Sequence, residues 1–501
     1  MNIKKIDNLV YTISCLFFVV YVTLIVSACD VDRIEIEIAN DKDIRERPNI
    51  IVVMADDVGI EWFSSYGGES IETPYLDKMA ENGMRFTQAH ATPLCTPSRV
   101  KIMTGRYSHR NYVGFGNFPD GELTFANALR ESGYATAVTG KWQLRADPDK
   151  KGFDEHLLWR ANFRNQEGDF PADSPSGARY WYPQLVHNYA RRDDVGPTDY
   201  GPDLCVDFII DFIDRHEEQP FLVYYPMILP HFPFEPTPLD IDRDAPMDEK
   251  VAPNAIVWHR EYFGSMVKYI DVLMGRIADE LEERGLSENT LFIFTSDNGT
   301  HTNISAQFKG GPYIGEKGFL LDGGTRVPFI AYQPGTVQEG IVTDELVDLT
   351  DIFPTVLEMA GVSEPAGHDL DGHSLAGFFR DPTIERREWI MNHMYDHRPL
   401  FELGYWVRNQ DWKLYNDGRL YYMALDRFEG QTIWPDHDTP QSAEVRTRFE
   451  SVMEKMDREA AERMLEQFIK MQELGIEPAR EFNTPPHIQV STVDETITFG
   501  H

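Results

Sequence analysis

NIIVVMADD, residues 49–57, runs from Ile50 to Ala55 without a polar side chain and then meets two aspartates. An unbroken run of that length, rich in β-branched residues, fits a strand covered on both faces; a half-exposed strand would alternate. Four more runs repeat the pattern: ATAVTG (135–140), FLVYYPMIL (221–229), LFIFTS (291–296) and VPFIAY (327–332). Between them lie amphipathic stretches such as TFANALRESG (124–133) and FGSMVKYIDVLMGRIADELEERG (263–285). Buried strands alternating with helices predict an α/β fold, a large and mostly parallel sheet sandwiched by helices. From about residue 386 the pattern changes. WVRNQDWKLYNDGRLYYMAL (406–425) reads as antiparallel strands about an Asp-Gly turn, and EVRTRFESVMEKMDREAAERMLEQFIKM (444–471) as a long helix. A smaller α+β domain is therefore predicted over 386–501. Internal repeats and low-complexity tracts are absent from the sequence.

The chain has 501 residues, 42% of them hydrophobic, enough for one large core with a smaller unit attached. Lysine and arginine number 47 against 82 acidic residues, a formal charge of −35. That balance argues against nucleic acid or an anionic membrane surface as the main partner. An anionic substrate would need a basic pocket inside an acidic exterior. MNIKK is basic, Leu9 to Ala28 is nearly all apolar, and Val26-Ser27-Ala28 precedes Cys29. A charged start, an apolar run and small residues before a cut site describe an export signal. The cysteine at the cut resembles the bacterial lipoprotein signal. Residues 1–28 are thus expected to be removed, Cys29 to carry a lipid anchor, and residues 29–46 to tether the domain that begins at residue 47. This makes the protein an exported, membrane-anchored lipoprotein of the periplasm or cell surface. An uncleaved transmembrane anchor is the alternative, since the apolar run nearly spans a bilayer.

In an open α/β sheet, ligands bind beyond the carboxyl ends of the strands. Asp56 and Asp57 follow the first run, Lys141 the second, Pro230-His231 the third, and Asp297-Asn298-Gly299 the fourth. If these strands are parallel neighbours, three carboxylates, an amide, a lysine and an imidazole gather at one edge. Each pair alone is an ordinary turn former or helix cap. Together they suit a hard divalent cation, calcium or magnesium, better than zinc. CTPSR (95–99) adds a cysteine to the search. Pro97 fits the first position of a helix that continues to Arg106, which puts Cys95 at the helix N-terminus with Arg99 one turn on. On those grounds alone Cys95 is a candidate thiolate nucleophile. Cys205, inside LCVDFIIDFI (204–213), reads as a small core residue.

CTPSR followed by Ile102-Met103-Thr104-Gly105-Arg106 resembles the C-x-P-x-R signature of type I sulfatases, the formylglycine-dependent enzymes of the alkaline-phosphatase-like superfamily. The aspartate pair, Gly140-Lys141-Trp142, Pro230-His231, Ser296-Asp297-Asn298-Gly299 and GEKGFLLDGGTRVP (315–328) add to the likeness, in family order over about residues 47–385. The resemblance implies that a maturation enzyme oxidises Cys95 to formylglycine, whose hydrate supplies the nucleophilic hydroxyl. It implies one calcium ion held by Asp56, Asp57, Asp297, Asn298 and the modified Cys95. Arg99 and Lys141 would steady the formylglycine and the sulfate oxygens, Lys317 the bridging oxygen, and His231 would protonate the departing alcohol. One position departs from the pattern. Most sulfatases carry a histidine where this chain has Gln143, and an amide cannot take the proton that histidine is assigned. His301 is the candidate substitute. The expected substrate is a sulfated saccharide. Two rivals are a phosphodiesterase or phosphonate monoester hydrolase of the same superfamily and a non-catalytic glycan-binding lipoprotein. Tyr180, Trp181 and Tyr182, in the stretch 164–186, are candidates either for stacking on sugar rings or for plain turn packing.

Overall fold

Five parallel strands with flush carboxyl ends form the centre of the main sheet. The computed structural model describes residues 47–159, 178–251, 259–394, 404–473, 488–491 and 496–499. The expected signal, Cys29, the tether and residues 164–177 of the aromatic stretch lie outside the described residues. Along the chain run β1 (Asn49–Ala55), β2 (Met84–His90), β3 (Ala135–Gly140), β4 (Glu155–Trp159), β5 (Leu185–His187), β6 (Ala190–Arg191), β7 (Phe221–Pro226) and β8 (Thr290–Ser296). A hairpin of β9 (Ser305–Phe308) and β10 (Gly311–Ile314) precedes β11 (Arg326–Tyr332) and β12 (Ile341–Asp348). The main sheet has ten strands in the order β12-β2-β11-β8-β1-β7-β3-β4-β5-β6. Strands β8, β1, β7, β3 and β4 are parallel, whereas β11 runs antiparallel to both its neighbours.

The helices that matter here are α1 (Pro74–Glu81), α2 (Cys95–Thr104), α3 (Phe125–Glu131), α4 (Gly201–Arg215), α5 (Phe263–Glu283), α6 (Ile352–Met359) and α7 (Pro440–Glu473). β1 explains why both faces are covered. Ile51, Val53 and Ala55 join the core made with Phe212 of α4 and Ile270 of α5; Ile50, Val52 and Met54 join the core made with Ile102 of α2, Leu129 of α3 and Val356 of α6. A strand buried on both faces has no use for alternation, and its sequence shows none.

The parallel register then fixes what protrudes. Met54 lies opposite Pro226, and Ala55 opposite Ser296. The ladder continues past the strand ends: the Asp297 amide donates to the Ala55 carbonyl (3.0 Å), the Lys141 amide to Pro226 (2.7 Å) and the Asp56 amide to Leu229 (2.9 Å). FLVYYPMIL is therefore strand only to Pro226, and its last three residues turn inward to meet β1. Gly140 permits the close approach of β3 and β7: its φ is +110°, and a Cβ would stand 2.2 Å from the Pro226 carbonyl oxygen.

Helix α2 begins at Cys95, two residues ahead of the expected start, and Pro97 is its third residue. The amides of a first helical turn have no intrahelical acceptor, so proline costs nothing there. The helix ends at Thr104 on Gly105 in the left-handed conformation (φ 65°), which leaves Arg106 outside it.

The C-terminal part is an antiparallel sheet of β13 (Ile390–Met394), β14 (Gly404–Arg408), β15 (Trp412–Tyr415) and β16 (Leu420–Tyr422), with α7 on one face. Met391, Val407 and Leu414 face Phe449 and Met453 of α7, while Trp406, Tyr415 and Tyr421 face Leu94, Leu320 and Leu346 of the larger part. The expected Asp-Gly turn links β15 to β16, its Gly418 amide on the Tyr415 carbonyl (3.0 Å).

Candidate active site

Cys95 stands at the first residue of α2, and the loop before it is pinned. The Ser98 hydroxyl donates to the Thr92 carbonyl (3.1 Å) and accepts from the Thr92 amide (3.0 Å). The thiol, 2% exposed, lies 3.7 Å from Asp56 Oδ1, 3.6 Å from Asp57 Oδ1, 3.7 Å from Lys141 Nζ and 3.4 Å from Lys317 Nζ. Lys141 pairs with Asp56 Oδ2 at 2.6 Å, and Lys317 pairs with Asp57 Oδ1. Arg99 does not stop at the helix end. Its Nη2 reaches Asp297 Oδ2 at 2.9 Å and its Nη1 the Lys141 carbonyl at 2.5 Å, so it braces two members of the cluster. His231 brings Nε2 to 3.7 Å from Asp57 Oδ2.

Among protein groups, burial and then Asp297 push the Cys95 thiol above its ordinary range, against the pull of Lys141 and Lys317. The expectation of a thiolate with a lowered pKa is thereby corrected. The helix end and Arg99 are outweighed, because the sulfur is desolvated and three carboxylates surround it. Burial raises Asp56. It works against ionisation of Asp57 too, but Lys317, His231 and Lys141 outweigh it and hold that carboxyl well below the usual range. Burial and then Lys141 lower His231 well below its usual value, against the pull of Asp57 and Asp56.

The carboxylate cluster has the features of a cation site. Ligand atoms of Asp56, Asp57, Cys95 and His231 all lie within 4.8 Å of one another. Asp57 Oδ2 and Asn298 Oδ1 are buried without a hydrogen-bond partner among the described residues. Buried acceptors are seldom left unpaired, and two of them with three carboxylates fit a hard ion. Asn298 faces the same centre, its Nδ2 donating to Asp57 Oδ1 at 2.9 Å, while Asp297 Oδ1 accepts from the Asp57 amide at 3.0 Å. Three carboxylates (Asp56, Asp57, Asp297) already balance three bases (Arg99, Lys141, Lys317). A divalent ion would thus leave a net positive pocket, answering how an acidic protein could hold an anion.

The structure therefore brings together Asp56, Asp57, Cys95, Arg99, Lys141, His231, Asp297, Asn298 and Lys317. Two expected residues stand at the margin. His301 is within electrostatic range of Asp57 and Lys317, but its Nδ1 accepts from the Asn303 amide at 3.2 Å, which leaves the proton of the neutral ring on Nε2. Gln143 is 8% exposed with φ 56°, and its Oε1 is buried without a partner among the described residues. Asp57, which does belong to the cluster, is also left-handed at φ 68°, and such backbone is held only where its surroundings enforce it.

Sequence reasoning missed a layer around this centre. Glu61, 1% exposed, accepts from the Thr300 hydroxyl, which accepts from the Gly59 amide at 2.9 Å; the Thr300 carbonyl takes the Lys317 amide at 3.0 Å. Tyr180 and Trp181 are fully buried. The Tyr180 hydroxyl donates to the carbonyls of Ile228 and His231, and Trp181 Nε1 to Pro236 at 2.7 Å, so these rings support the His231 turn instead of meeting sugar. Arg179, beside them, reaches His231 Nδ1 at 2.9 Å. A lone arginine before an aromatic run carries no spacing signal that could have revealed it.

The family model described as Sulfatase matches residues 48–362, and that described as N-sulphoglucosamine sulphohydrolase, C-terminal, matches residues 313–464. Arylsulfatase D of Homo sapiens is 29% identical over 418 residues, covering 66% of this chain and 68% of that protein. N-acetylgalactosamine-6-sulfatase of Rattus norvegicus is 31% identical over 385 residues, covering 71% of this chain and 68% of that protein. The crystal structure of Ps i-CgsB in complex with k-i-k-neocarrahexaose has a TM-score of 0.65 at 25% identity, covering 82% of this chain and 92% of that one.

Proposed function

Because the chain belongs to the sulfatase family, whose enzymes are sulfuric ester hydrolases, we propose that it releases sulfate from a sulfated carbohydrate. The observation that carries the reading is the Cys95 sulfur, set among two carboxylates and two ammonium groups at 3.4–3.7 Å, in residues that match the family order. The relatives include an N-acetylgalactosamine-6-sulfatase, and a structural neighbour is held with an oligosaccharide, which supports a sugar ester as the substrate. In this reading Cys95 is matured to formylglycine, Asp56, Asp57, Asp297 and Asn298 hold calcium, and the chain is exported and anchored through a lipid on Cys29.

Formylglycine formed from Cys95 would supply the attacking hydroxyl, and calcium held by Asp56, Asp57, Asp297 and Asn298 would draw charge from the sulfate oxygens. The chain's own groups do the rest. Lys141 and Lys317, buried beside residue 95, meet the negative charge that builds on the oxygens as the ester bond breaks. His231 presents Nε2 at the edge of the cluster, where the ring, once protonated on both nitrogens, can protonate the departing alcohol. Having given it up, the same nitrogen carries a lone pair and serves as the base that clears the site, a task His301 is less suited to with its Nδ1 on a backbone amide.

The test is the protein produced with a formylglycine-generating enzyme. Mass spectrometry should find an aldehyde in the peptide Ala91–Arg99, the protein should release sulfate from sulfated oligosaccharides and an aryl sulfate in preference to cleaving an aryl phosphodiester, and exhaustive chelation should stop it. Full activity with unmodified cysteine, or a preference for the phosphodiester, would overturn the reading.

A further inference from the structure

Among the described residues, Arg179 is a cation without an anion. In a chain with 82 acidic residues, no carboxylate among the described residues pairs with it. Its Nε is buried without a hydrogen-bond partner among the described residues. Its guanidinium carbon lies 4.0 Å from the centroid of the Trp159 ring, and that ring is fixed in turn by its Nε1 on the Ala178 carbonyl at 3.0 Å. A guanidinium stacked on an aromatic face keeps its N–H edge free for a planar, two-pronged partner.

Among the described residues, Arg179 meets the site at His231 Nδ1, at 2.9 Å, and that contact is contested. The Phe232 carbonyl oxygen lies 2.7 Å from the same nitrogen. A ring nitrogen that donates to a carbonyl cannot accept from arginine, so the two partners ask opposite things of it. The carbonyl can hold the ring by itself, which makes the guanidinium the replaceable partner. An oxyanion would replace the imidazole as a far stronger acceptor. The position is also apt. Asp57 is buried, the His231 side chain is 12% exposed and Arg179 is half-buried, so the series climbs outward past the imidazole that faces the leaving oxygen.

We propose that Arg179 recognises a second oxyanion on the substrate, a carboxylate or another sulfate on the sugar whose oxygen departs. This rests on the sulfatase reading of the site. Arg179 thereby selects doubly acidic sugars over singly sulfated ones.

The experiment compares four compounds on the matured protein: an aryl sulfate, a monosulfated N-acetylhexosamine, the same sugar with a second sulfate, and a sulfated uronic acid. The wild type should favour one of the two doubly acidic sugars in kcat/KM, and which one names the acid. Arg179→Met should reduce that preference roughly 10- to 100-fold, mainly through KM, the size expected for losing a charge-assisted pair. Arg179→Lys, which keeps the charge and loses the fork, should restore part of it. Binding of both doubly acidic sugars is measured in parallel on Cys95→Ala and on Cys95→Ala with Arg179→Met, and for the tighter-binding sugar should weaken by a similar factor. Equal losses on singly and doubly acidic sugars, or equal binding by the two Cys95→Ala proteins, would overturn the proposal. A matured wild type that releases no sulfate from any compound would count against the sulfatase reading alone, because the binding comparison still reports on Arg179.

Discussion

At position 95 the unmodified side chain and its neighbours are mismatched. An unmodified thiol, pushed up by burial and by Asp297, is a poor nucleophile, yet two ammonium groups and two carboxylates are aimed at it. The same contrast marks Gln143. Its buried Oε1 can accept a hydrogen bond and cannot accept a proton. If His231 both gives and takes the proton, Gln143→Ala removes at most one neutral hydrogen bond made to the bound substrate, about 0.5–1.5 kcal/mol or roughly tenfold in rate. His301→Ala should cost no more than that. His231→Ala should cost on the order of a hundredfold or beyond in both alcohol release and sulfate release. The check is single-turnover kinetics that follows both products. A burst of alcohol without matching sulfate in His301→Ala, and not in His231→Ala, would return the base to His301. The residues flanking each apolar run were legible because strand ends in such sheets are where ligands bind. Arg179 and Glu61 were not, since nothing local distinguishes a buried charge from a solvated one until the chain is folded.

Among the elements, the two loops after β1 and β8 act as one unit. Glu61 and Thr300 tie them together, and Gly299 lets the second pass so close to Gly323 that a Cβ would stand 1.9 Å from its carbonyl oxygen. Burial pushes Glu61 up to about 7, with the Thr300 hydroxyl opposing. The unfolded carboxyl loses its proton near 4.5, so from there to about 7 the folded state holds a proton the unfolded state has lost. Stability therefore falls as pH rises through that window and levels off above it, by about 3 kcal/mol for this one group. Glu61→Gln keeps an oxygen for Thr300 and removes the titration. It should be more stable than the wild type at pH 8, with the gap closing toward pH 5, as read by denaturant unfolding across that range. Parallel curves would show that Glu61 is not the group responsible. Element boundaries were harder to read than element types. Pro97 was expected to open α2 because proline favours a first helical position, but any place in the first turn serves. For the Tyr180-Trp181 pair, sugar stacking and turn packing stayed open because sequence does not reveal which turns are roofed over.

Across the whole molecule, the C-terminal sheet holds the segment that follows Lys317. Three donors converge on the Leu320 carbonyl: Trp406 Nε1 (2.8 Å), Lys413 Nζ (2.8 Å) and the Tyr415 hydroxyl (3.2 Å). Leu320 is three residues past Lys317. Next to it, Asp322 meets Arg408 at 2.8 Å and Lys413 at 3.4 Å, all three nearly inaccessible. Burial opposes the charge on Asp322, yet Arg408 and Lys413 hold its carboxyl far below the ordinary range. Removing one partner of such a cluster strands the other, whereas removing both charges need not. Arg408→Met should thus cost about 3–5 kcal/mol of stability and lower kcat through the displaced Lys317 loop. Combining it with Asp322→Asn should recover part of that loss in both readings, since the buried charge that was stranded is gone. Thermal unfolding and turnover of the two single variants and the double variant would decide the matter. Additive losses in stability, or a destabilised Arg408→Met that keeps full turnover, would mean that the sheet packs beside the site without shaping it.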